Sequence, residues 1–196
     1  TAVVTGKKGE EIWTEEYGRI RVKFHWDRRS DGDVKEGAFS CWIRISYPLA
    51  GQGWGMVATP RIGQEVLVAF LDGNPDRPLI VGALYNGTHQ PPYVTDRVTA
   101  STLKTNSSRD GNGYNELRLD DKAGAEEIYF RAQKDLHVHV VKGSSLTDID
   151  TGNNTHNIAH NNTWTLTEGN NTYHLKKGDD IWKLDKGNQQ ITLTDG

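Results

Sequence analysis

Hydrophobic and polar residues alternate one by one in the first half of the chain, most clearly over residues 17–26, YGRIRVKFHW. A period of two is the pattern of a β-strand that buries one face and exposes the other. The predicted buried positions are Ile20, Val22, Phe24 and Trp26, and the predicted exposed positions are Arg19, Arg21, Lys23 and His25. We therefore expect a strand here, with its apolar face toward a core.

Four further short β-rich runs end at or near glycine, proline or asparagine: CWIRIS, GMVATP, EVLVAFLDG and LIVGALYN. Runs of this length separated by turn residues are typical of small all-β domains. Four or five such strands fit a closed barrel, because closure leaves no exposed strand edge. No segment has the 3.6-residue period of a long helix. The sequence thus predicts an all-β protein with a barrel over residues 1–93.

The segment 94–135 is predicted to be a junction between the barrel and a repetitive C-terminal region. Its first part, VTASTLKTNSSRDGNGYN, is rich in Ser, Thr, Asn and Gly and is predicted to be a loop. Two apolar pairs flank the polar stretch DDKAGAEE, namely Leu117 with Leu119 and Ile128 with Phe130. This arrangement predicts a β-hairpin with its turn in the polar stretch.

From residue 136 onward a glycine recurs at about every ninth position, with Asn161 in the one gap. The turn glycines are Gly143, Gly152, Gly169, Gly178, Gly187 and Gly196. Glycine, and less readily asparagine, adopts the left-handed backbone that a tight turn needs. The region 136–196 is therefore predicted to be a series of short strands with a turn at each of these positions.

Two columns of side chains run in register with these turns. The first column lies three residues before each turn position and consists of Val140, Ile149, Ile158, Leu166, Leu175, Leu184 and Leu193. The second column lies two residues earlier and includes Val138, His156, Trp164, Tyr173, Trp182 and Ile191. The residue between the two columns is polar in every repeat. Both columns are therefore predicted to face inward and the residue between them outward.

A nine-residue repeat with two inward side chains has no opposing layer of its own, so it needs a partner. One alternative is a single-chain calcium-binding β-roll, which carries paired glycines and a regular aspartate column. Here Asp148, Asp179, Asp180 and Asp185 do not form a single repeated column. We favour the other alternative, a homotrimer whose three chains wind together. The first column would lie nearest the axis and the second at the seams between chains.

Composition narrows the functional classes. A net charge of −3 gives no basic excess of the kind that a nucleic-acid binder uses to displace counterions. The single cysteine, Cys41, is predicted to be a buried, inert thiol in the strand CWIRIS. No nucleophile–base pattern or carboxylate pair indicates catalysis, so we predict no enzyme activity and no cofactor. No metal site is predicted, and an ion held by three inward copies of His156 is the weaker alternative.

Three stretches, in this order, resemble the VgrG family, the valine-glycine repeat spikes of type VI secretion. They are EEIWTEEYGRIRVKFHWDR, CWIRISYPLAGQGWGMVATPRIGQEVLVAFLDGNPDRPLIVGALYN and NELRLDDKAGAEEIYFRAQKDL. The resemblance covers residues 2 to about 135. It implies an OB-fold for the barrel, followed by a three-chain β-helical needle related to the central spike of contractile phage tails. In one departure from the family's name, no valine follows Val141.

The resemblance also implies a function. The protein would be a structural spike that crosses a target envelope mechanically and carries effectors. It would bind a secretion tube protein at its base and a PAAR-type tip protein at its C-terminal end. It would reside in the bacterial cytoplasm before firing and then be secreted or injected into a target cell. Two alternatives stay open: the central spike of a phage tail or tailocin, and an OB-type binding module without spike function.

Overall fold

The structure is a computed structural model that describes residues 1–109, 111–187 and 190–191. The chain divides into two compact units, Thr1–His139 and Val140–Gly196. The regular secondary structure of the described residues is β, apart from two short 3-10 turns. The predicted all-β class is therefore confirmed. No helix in this described part of the chain has the length and apolar character needed to cross a bilayer.

The described residues of the first unit form nine strands in three antiparallel sheets. In chain order they are β1 Ala2–Thr5, β2 Arg21–Phe24, β3 Ala50–Gly51, β4 Trp54–Gly55, β5 Glu65–Phe70, β6 Pro78–Leu84, β7 Ala100–Lys104, β8 Glu116–Asp120 and β9 Glu127–Arg131. The largest sheet has the order β2-β1-β5-β6. β3 pairs with β4 as a two-residue ladder, and β7, β8 and β9 form a separate three-stranded sheet.

The core of the first unit lies on the four-stranded sheet. Its buried residues are Ala2, Val4, Ile20, Val22, Ile43, Val66 and Ile80. Ile20 and Val22 are fully buried, as their alternation with arginines predicts. β5 and β6 match the runs EVLVAFLDG and LIVGALYN, with a β-bulge between Leu67 and Val68. β1, which pairs with both β2 and β5, is not among the predicted strands.

Trp26 is exposed, so the prediction that it shares the buried face of β2 is wrong. β2 ends at Phe24, where a hydrogen bond from the Asp27 N–H to the Phe24 carbonyl turns the chain away from the sheet. The alternation therefore stops two residues earlier than the pattern indicates. The Trp26 ring instead stacks on Phe24, with ring centroids 4.6 Å apart and an interplanar angle of 10°.

The run CWIRIS contributes only isolated bridges, Ile43 to Ile20 and Ile45 to Ile80, not a full strand. Cys41 is exposed, so the predicted buried thiol is wrong. Backbone pairing begins only at Ile43, and before it the Val22 N–H of β2 donates to the Ser40 hydroxyl and not to a strand, so the alternation does not carry through to Cys41. The run GMVATP is not a strand either, except that its first residue, Gly55, is the last residue of β4.

The hairpin predicted around DDKAGAEE is confirmed as β8 and β9. The segment before it, predicted as a loop, contains an additional strand, β7, which pairs along all five of its residues with β8. A loop-like composition rich in Ser and Thr misleads here, because Thr is also a good strand residue. The result is a three-stranded sheet in place of a lone hairpin.

Polar contacts tie this sheet to the four-stranded sheet within the first unit. Arg61, just before β5, pairs with Glu11 and donates a 2.6 Å hydrogen bond to the Asn106 carbonyl in the loop after β7. The Ser108 hydroxyl donates to the other Glu11 oxygen at 2.9 Å. Hydrogen bonds from Ser108 and Arg61 hold the pKa of Glu11 below its ordinary value. The two sheets are thus linked by charge-assisted hydrogen bonds.

Candidate self-assembly site

The second unit contains no regular secondary structure among its described residues, 140–187 and 190–191. The short strands predicted for the repeats are therefore not paired into a ladder within one chain. Backbone N–H and C=O groups outside such a ladder are available to pair with another chain.

The described glycines at the predicted turn positions have positive φ angles. The φ angles are +103° at Gly143, +127° at Gly152, +100° at Gly169, +112° at Gly178 and +111° at Gly187. Gly196 lies outside the described residues. Side chains other than hydrogen are strongly disfavoured at such angles. These positions therefore require glycine for its backbone freedom.

The two columns are both exposed in the single chain, but not equally. The described members of the first column, Val140, Ile149, Ile158, Leu166, Leu175 and Leu184, are 43% to 61% exposed. The large apolar members of the second column, Val138, Trp164, Tyr173, Trp182 and Ile191, are 73% to 86% exposed. Leu193 lies outside the described residues. Large apolar side chains exposed at so many regularly spaced positions are unusual on a monomer and are typical of an interaction surface.

His156 is exposed in the single chain. Among the described residues, no group of three or more His, Cys, Asp or Glu side chains is placed to hold a metal ion. An ion at His156 would therefore need histidines from other chains. It stays a prediction.

The three-stranded sheet in the first unit also has an exposed apolar surface. Its apolar side chains face outward and the charged side chains of β8 are buried. On one face, the apolar residues Leu103, Leu117, Leu119, Ile128 and Phe130 are 38% to 76% exposed. On the other face, the polar residues Glu116, Arg118 and Asp120 are buried. Cross-strand register places Leu103, Leu117 and Phe130 in one row and Leu119 beside Ile128 in the next. The apolar residues thus form one continuous patch, which we call the sheet face.

Arg118 is the centre of the buried polar network on the opposite side. Its guanidinium donates to Glu127 at 2.8 Å and to Glu116 at 3.2 Å. The same group lies over the Tyr129 ring, 4.5 Å from its centroid, and over the Tyr93 ring at 5.3 Å. Charge-assisted hydrogen bonds and ring contacts together compensate for removing the cation from water.

The segment before β7 supplies the other partners of this network. The Tyr93 hydroxyl donates to Glu116 at 3.1 Å, and the Thr99 hydroxyl donates to Asp120 at 2.6 Å. Arg97 lies 3.4 Å from an Asp120 carboxylate oxygen. These contacts attach residues 93–99 to the polar side of the sheet, so this side is covered by the chain itself.

The pKa values of the network carboxylates are lowered. Burial acts to raise the pKa of Glu116, but hydrogen bonds from Tyr93 and Thr102 and the charge of Arg118 outweigh it and lower the value. The pKa of Asp120 is lowered mainly by the Thr99 hydroxyl. The pKa of Glu127 is lowered mainly by its hydrogen bond with Arg118. The three carboxylates are therefore held in the ionised form.

Acid should loosen the three-stranded sheet before the apolar core. A carboxylate with a lowered folded pKa contributes stability that is present above its ordinary pKa, about 4, and is lost as the pH falls through the folded value. We expect hydrogen–deuterium exchange of the β8 amides, corrected for intrinsic rates, to lose protection below about pH 4. The backbone amides of β6 serve as the control, because that strand contributes Ile80 to the apolar core. Equal loss of protection in both strands at every pH would contradict this prediction.

Two family models match the chain, one after the other. Residues 4–85 match the OB domain of the type VI secretion system and phage-baseplate injector. Residues 101–191 match the C-terminal trimerisation domain of bacteriophage T4 gp5. The first match covers the four-stranded sheet except for the first two residues of β1, and the second covers the sheet face and the repeats up to residue 191.

Several curated proteins that are similar in sequence to this chain are VgrG proteins. The type VI secretion system spike protein VgrG1b of Pseudomonas aeruginosa is 44% identical over 85% of this chain. The spike protein VgrG4b of the same organism is 51% identical over 69% of the chain. The chain belongs to the VgrG family. The actin cross-linking toxin VgrG1 of Vibrio cholerae, another relative, is 46% identical over 69% of the chain.

This VgrG-family chain spans only part of its relatives, 21% of the length of VgrG1b, 16% of VgrG4b and 12% of the Vibrio toxin. The family membership confirms the resemblance, and the two matches fit the predicted order of an OB barrel followed by a β-helical needle. The sheet face and the described members of both repeat columns are left exposed by the chain itself.

Proposed function

We propose that this chain is a structural segment of a type VI secretion spike, in which three copies wind their repeats into one needle. The observation that carries the proposal is the order of the two matches, an injector OB domain at 4–85 and then a trimerisation domain at 101–191. The exposed columns support it, because a single chain gives them no core. The proposed organisation is a barrel at 1–93, a junction at 94–135 and a needle at 136–196.

In the proposed needle, the first column lies nearest the axis. Its members are all aliphatic, whereas the second column includes Trp164 and Trp182, which are too large for three copies to meet on a narrow axis. The second column then packs at the seams. Each glycine turn passes the chain to its next short strand, and strands of different chains pair their backbones. A ladder shared by three chains unfolds slowly, because the chains must separate together.

The proposed action is mechanical. Backbone pairing between chains and a continuous apolar axis give a stiff needle that transmits force to the target envelope and brings effectors with it. We propose a secretion tube protein at the base and a PAAR-type protein on the C-terminal end as its partners. We also propose that the assembly is held in the bacterial cytoplasm until firing and is then secreted or injected. No catalytic step is part of this action.

The central spike of a phage tail is the second candidate, since one matching family is named for a phage protein. The similar curated spike proteins, at 44% and 51% identity, are described as parts of the type VI system, which favours secretion. An OB-type binding module would instead act as a monomer with a salt-dependent ligand.

Light scattering behind a sizing column tests the proposed assembly. The expected mass is three times that of the 21.9 kDa chain, because the columns are buried only when three chains wind together. The mass should not depend on salt, since the columns are apolar and are not screened by ions. A monomer mass at all concentrations would rule out the needle for this chain and would favour the binding module.

A further inference from the structure

The outer surface of the first unit carries arginines on β2 and on the run CWIRIS beside it. Ile20 and Ile43 form an antiparallel bridge, with backbone hydrogen bonds of 3.1 and 2.8 Å in the two directions. Both isoleucines point into the core, so the residues on either side of them point outward. The register of the bridge places these outward residues opposite one another, Arg21 with Trp42 and Arg19 with Arg44.

A cleft of about 240 Å³ opens on this surface, and we call it the arginine cleft. Its polar wall contains Arg19, Arg44, Arg77 and Asp76, and its apolar wall contains Trp42, Leu71 and Pro78. Arginines on the strand run, on β2 and just before β6 thus converge on one small opening.

The three arginines of the cleft differ in their partners. Arg19 donates to both carboxylate oxygens of Glu15, at 2.9 and 3.0 Å, and Arg77 pairs with Asp72. Arg44 is exposed, and its side chain forms no hydrogen bond or ion pair with any residue that the structure describes. Its guanidinium therefore has all of its N–H donors available to a ligand.

Arg21, at the edge of the cleft, is a second cation without a carboxylate partner in the described part of the chain. Its guanidinium lies 4.4 Å from the centroid of the Trp42 ring and 5.4 Å from that of Trp13. Its Nε is buried and has no hydrogen-bond partner among the described residues. The rings stabilise the half-buried cation but do not neutralise it. Arg21 therefore adds positive potential beside Trp42.

We propose that the arginine cleft binds a glutamate or aspartate side chain in an acidic segment of a partner protein. The cleft is smaller than the roughly 300 Å³ at which pockets for whole small molecules begin, and it suits a single side chain. Arg44 binds the carboxylate through two parallel hydrogen bonds, and Trp42 and Leu71 contact the stem of the side chain. This site goes beyond the proposed needle and uses none of its residues.

A nucleic acid fits the cleft less well than an acidic peptide. Asp76 in the wall repels a dense row of phosphates, whereas the spaced carboxylates of a peptide can avoid it. Trp13 and Trp42 are half-buried and contact Arg21 and each other, which leaves little ring surface for a stacking base. The net charge of −3 also gives no general attraction for a polyanion.

The exposed thiol of Cys41, the single cysteine of the chain, lies in the wall of the cleft and can report its occupancy. The rate of its reaction with N-ethylmaleimide is measured on the full chain against rising concentrations of the peptide Glu-Glu-Leu-Glu-Glu. The uncharged peptide Gln-Gln-Leu-Gln-Gln is the control. At low salt the acidic peptide should slow the reaction at least about threefold, and high salt should remove the effect because ions screen exposed charges. The uncharged peptide should not slow it.

Two variants assign the effect to the cleft. Arg44→Gln should raise the half-saturating concentration of the acidic peptide about tenfold, because a charge-assisted hydrogen bond is lost. Arg28→Gln removes the same charge from an exposed arginine in the turn after β2 and should leave that concentration unchanged. Equal half-saturating concentrations for the two variants would overturn the site.

The other outcomes also decide the proposal. Equal protection by citrate or inorganic phosphate would assign the cleft to small anions, and stronger protection by a short oligothymidylate would assign it to nucleic acid. Either result would overturn the acidic segment as the ligand. A thiol that reacts in urea but not in the native protein without peptide would mean that the cleft is already covered, which would also overturn the proposal. None of these results depends on the trimer mass, so the needle stands or fails separately.

Discussion

Replacing Arg118 by methionine should raise the exchange rate of the β8 backbone amides by roughly 100-fold or more, because it leaves the buried Glu116 carboxylate without its cation. Glu116 is buried and accepts a 3.2 Å hydrogen bond from Arg118, and Glu127 accepts one at 2.8 Å. Methionine preserves much of the volume of the stem, so the loss comes from charge and hydrogen bonding and not from a cavity. The measurement is hydrogen–deuterium exchange of the full chain at neutral pH.

Two further variants make this result specific. Arg77→Met removes an arginine whose ion pair with Asp72 is largely exposed, so it should change exchange little, as surface pairs contribute little. The double variant Arg118→Met with Glu116→Gln should recover part of the protection, since a neutral amide tolerates the missing cation better than a carboxylate does. If Arg118→Met and Arg77→Met had equal effects, the polar network would not be what holds the sheet.

The barrel illustrates which features of this fold can be predicted from sequence. Ile20 and Val22 were recognisable because alternation continues through the whole of β2, and β5 and β6 because their apolar runs are long. Trp26 and Cys41 lie at the ends of such runs, where the pattern continues but the hydrogen bonding does not. Periodicity thus predicts which residues share a face, whereas the ends of a strand depend on turns that the pattern does not contain.

The three-stranded sheet illustrates a different limit. The alternation of Leu117 and Leu119 with Glu116, Arg118 and Asp120 is plain in the sequence, and it predicts a strand with two unlike faces. Such a pattern usually indicates that the leucines are buried and the charged residues are exposed. In the single chain the charged side is the buried one, because Tyr93, Arg97 and Thr99 from an earlier segment supply its partners. No local pattern marks such a non-local network, so this part of the site needed the structure.

The repeats are the opposite case. Their nine-residue register is plain in the sequence, whereas the structure of one chain shows no strand among their described residues. The spacing of the glycines and the two columns identify a partner-dependent element, and the positive φ angles of the described turn glycines agree with it. Strand pairing between chains cannot appear within one chain, however regular its sequence. The identity of the residues nearest the axis therefore stays a prediction, and a charge placed in one column can test it.

Leu175→Asp should abolish the trimer or reduce its stability by several kcal/mol per chain, because three carboxylates would meet near the axis without counter-charges. Leu175 is 43% exposed in the single chain, the smallest exposure among the described members of the first column, so it is the one of these expected to be most buried in the needle. His174→Asp is the matched control. It places the same charge one residue earlier, at the position predicted to point outward, and should leave the trimer intact.

Light scattering gives the mass of each variant, and resistance of the trimer to unfolding in urea gives its stability. A trimer lost by Leu175→Asp but kept by His174→Asp would place the first column inside, since only the side-chain direction differs between the two substitutions. The reverse result would exchange the inner and outer faces of the repeats. Loss of the trimer in both variants would mean that the repeat is covered on both faces, and the needle would then need an outer layer of protein. If both variants stayed trimeric with unchanged stability, the repeats would not be what holds the copies together.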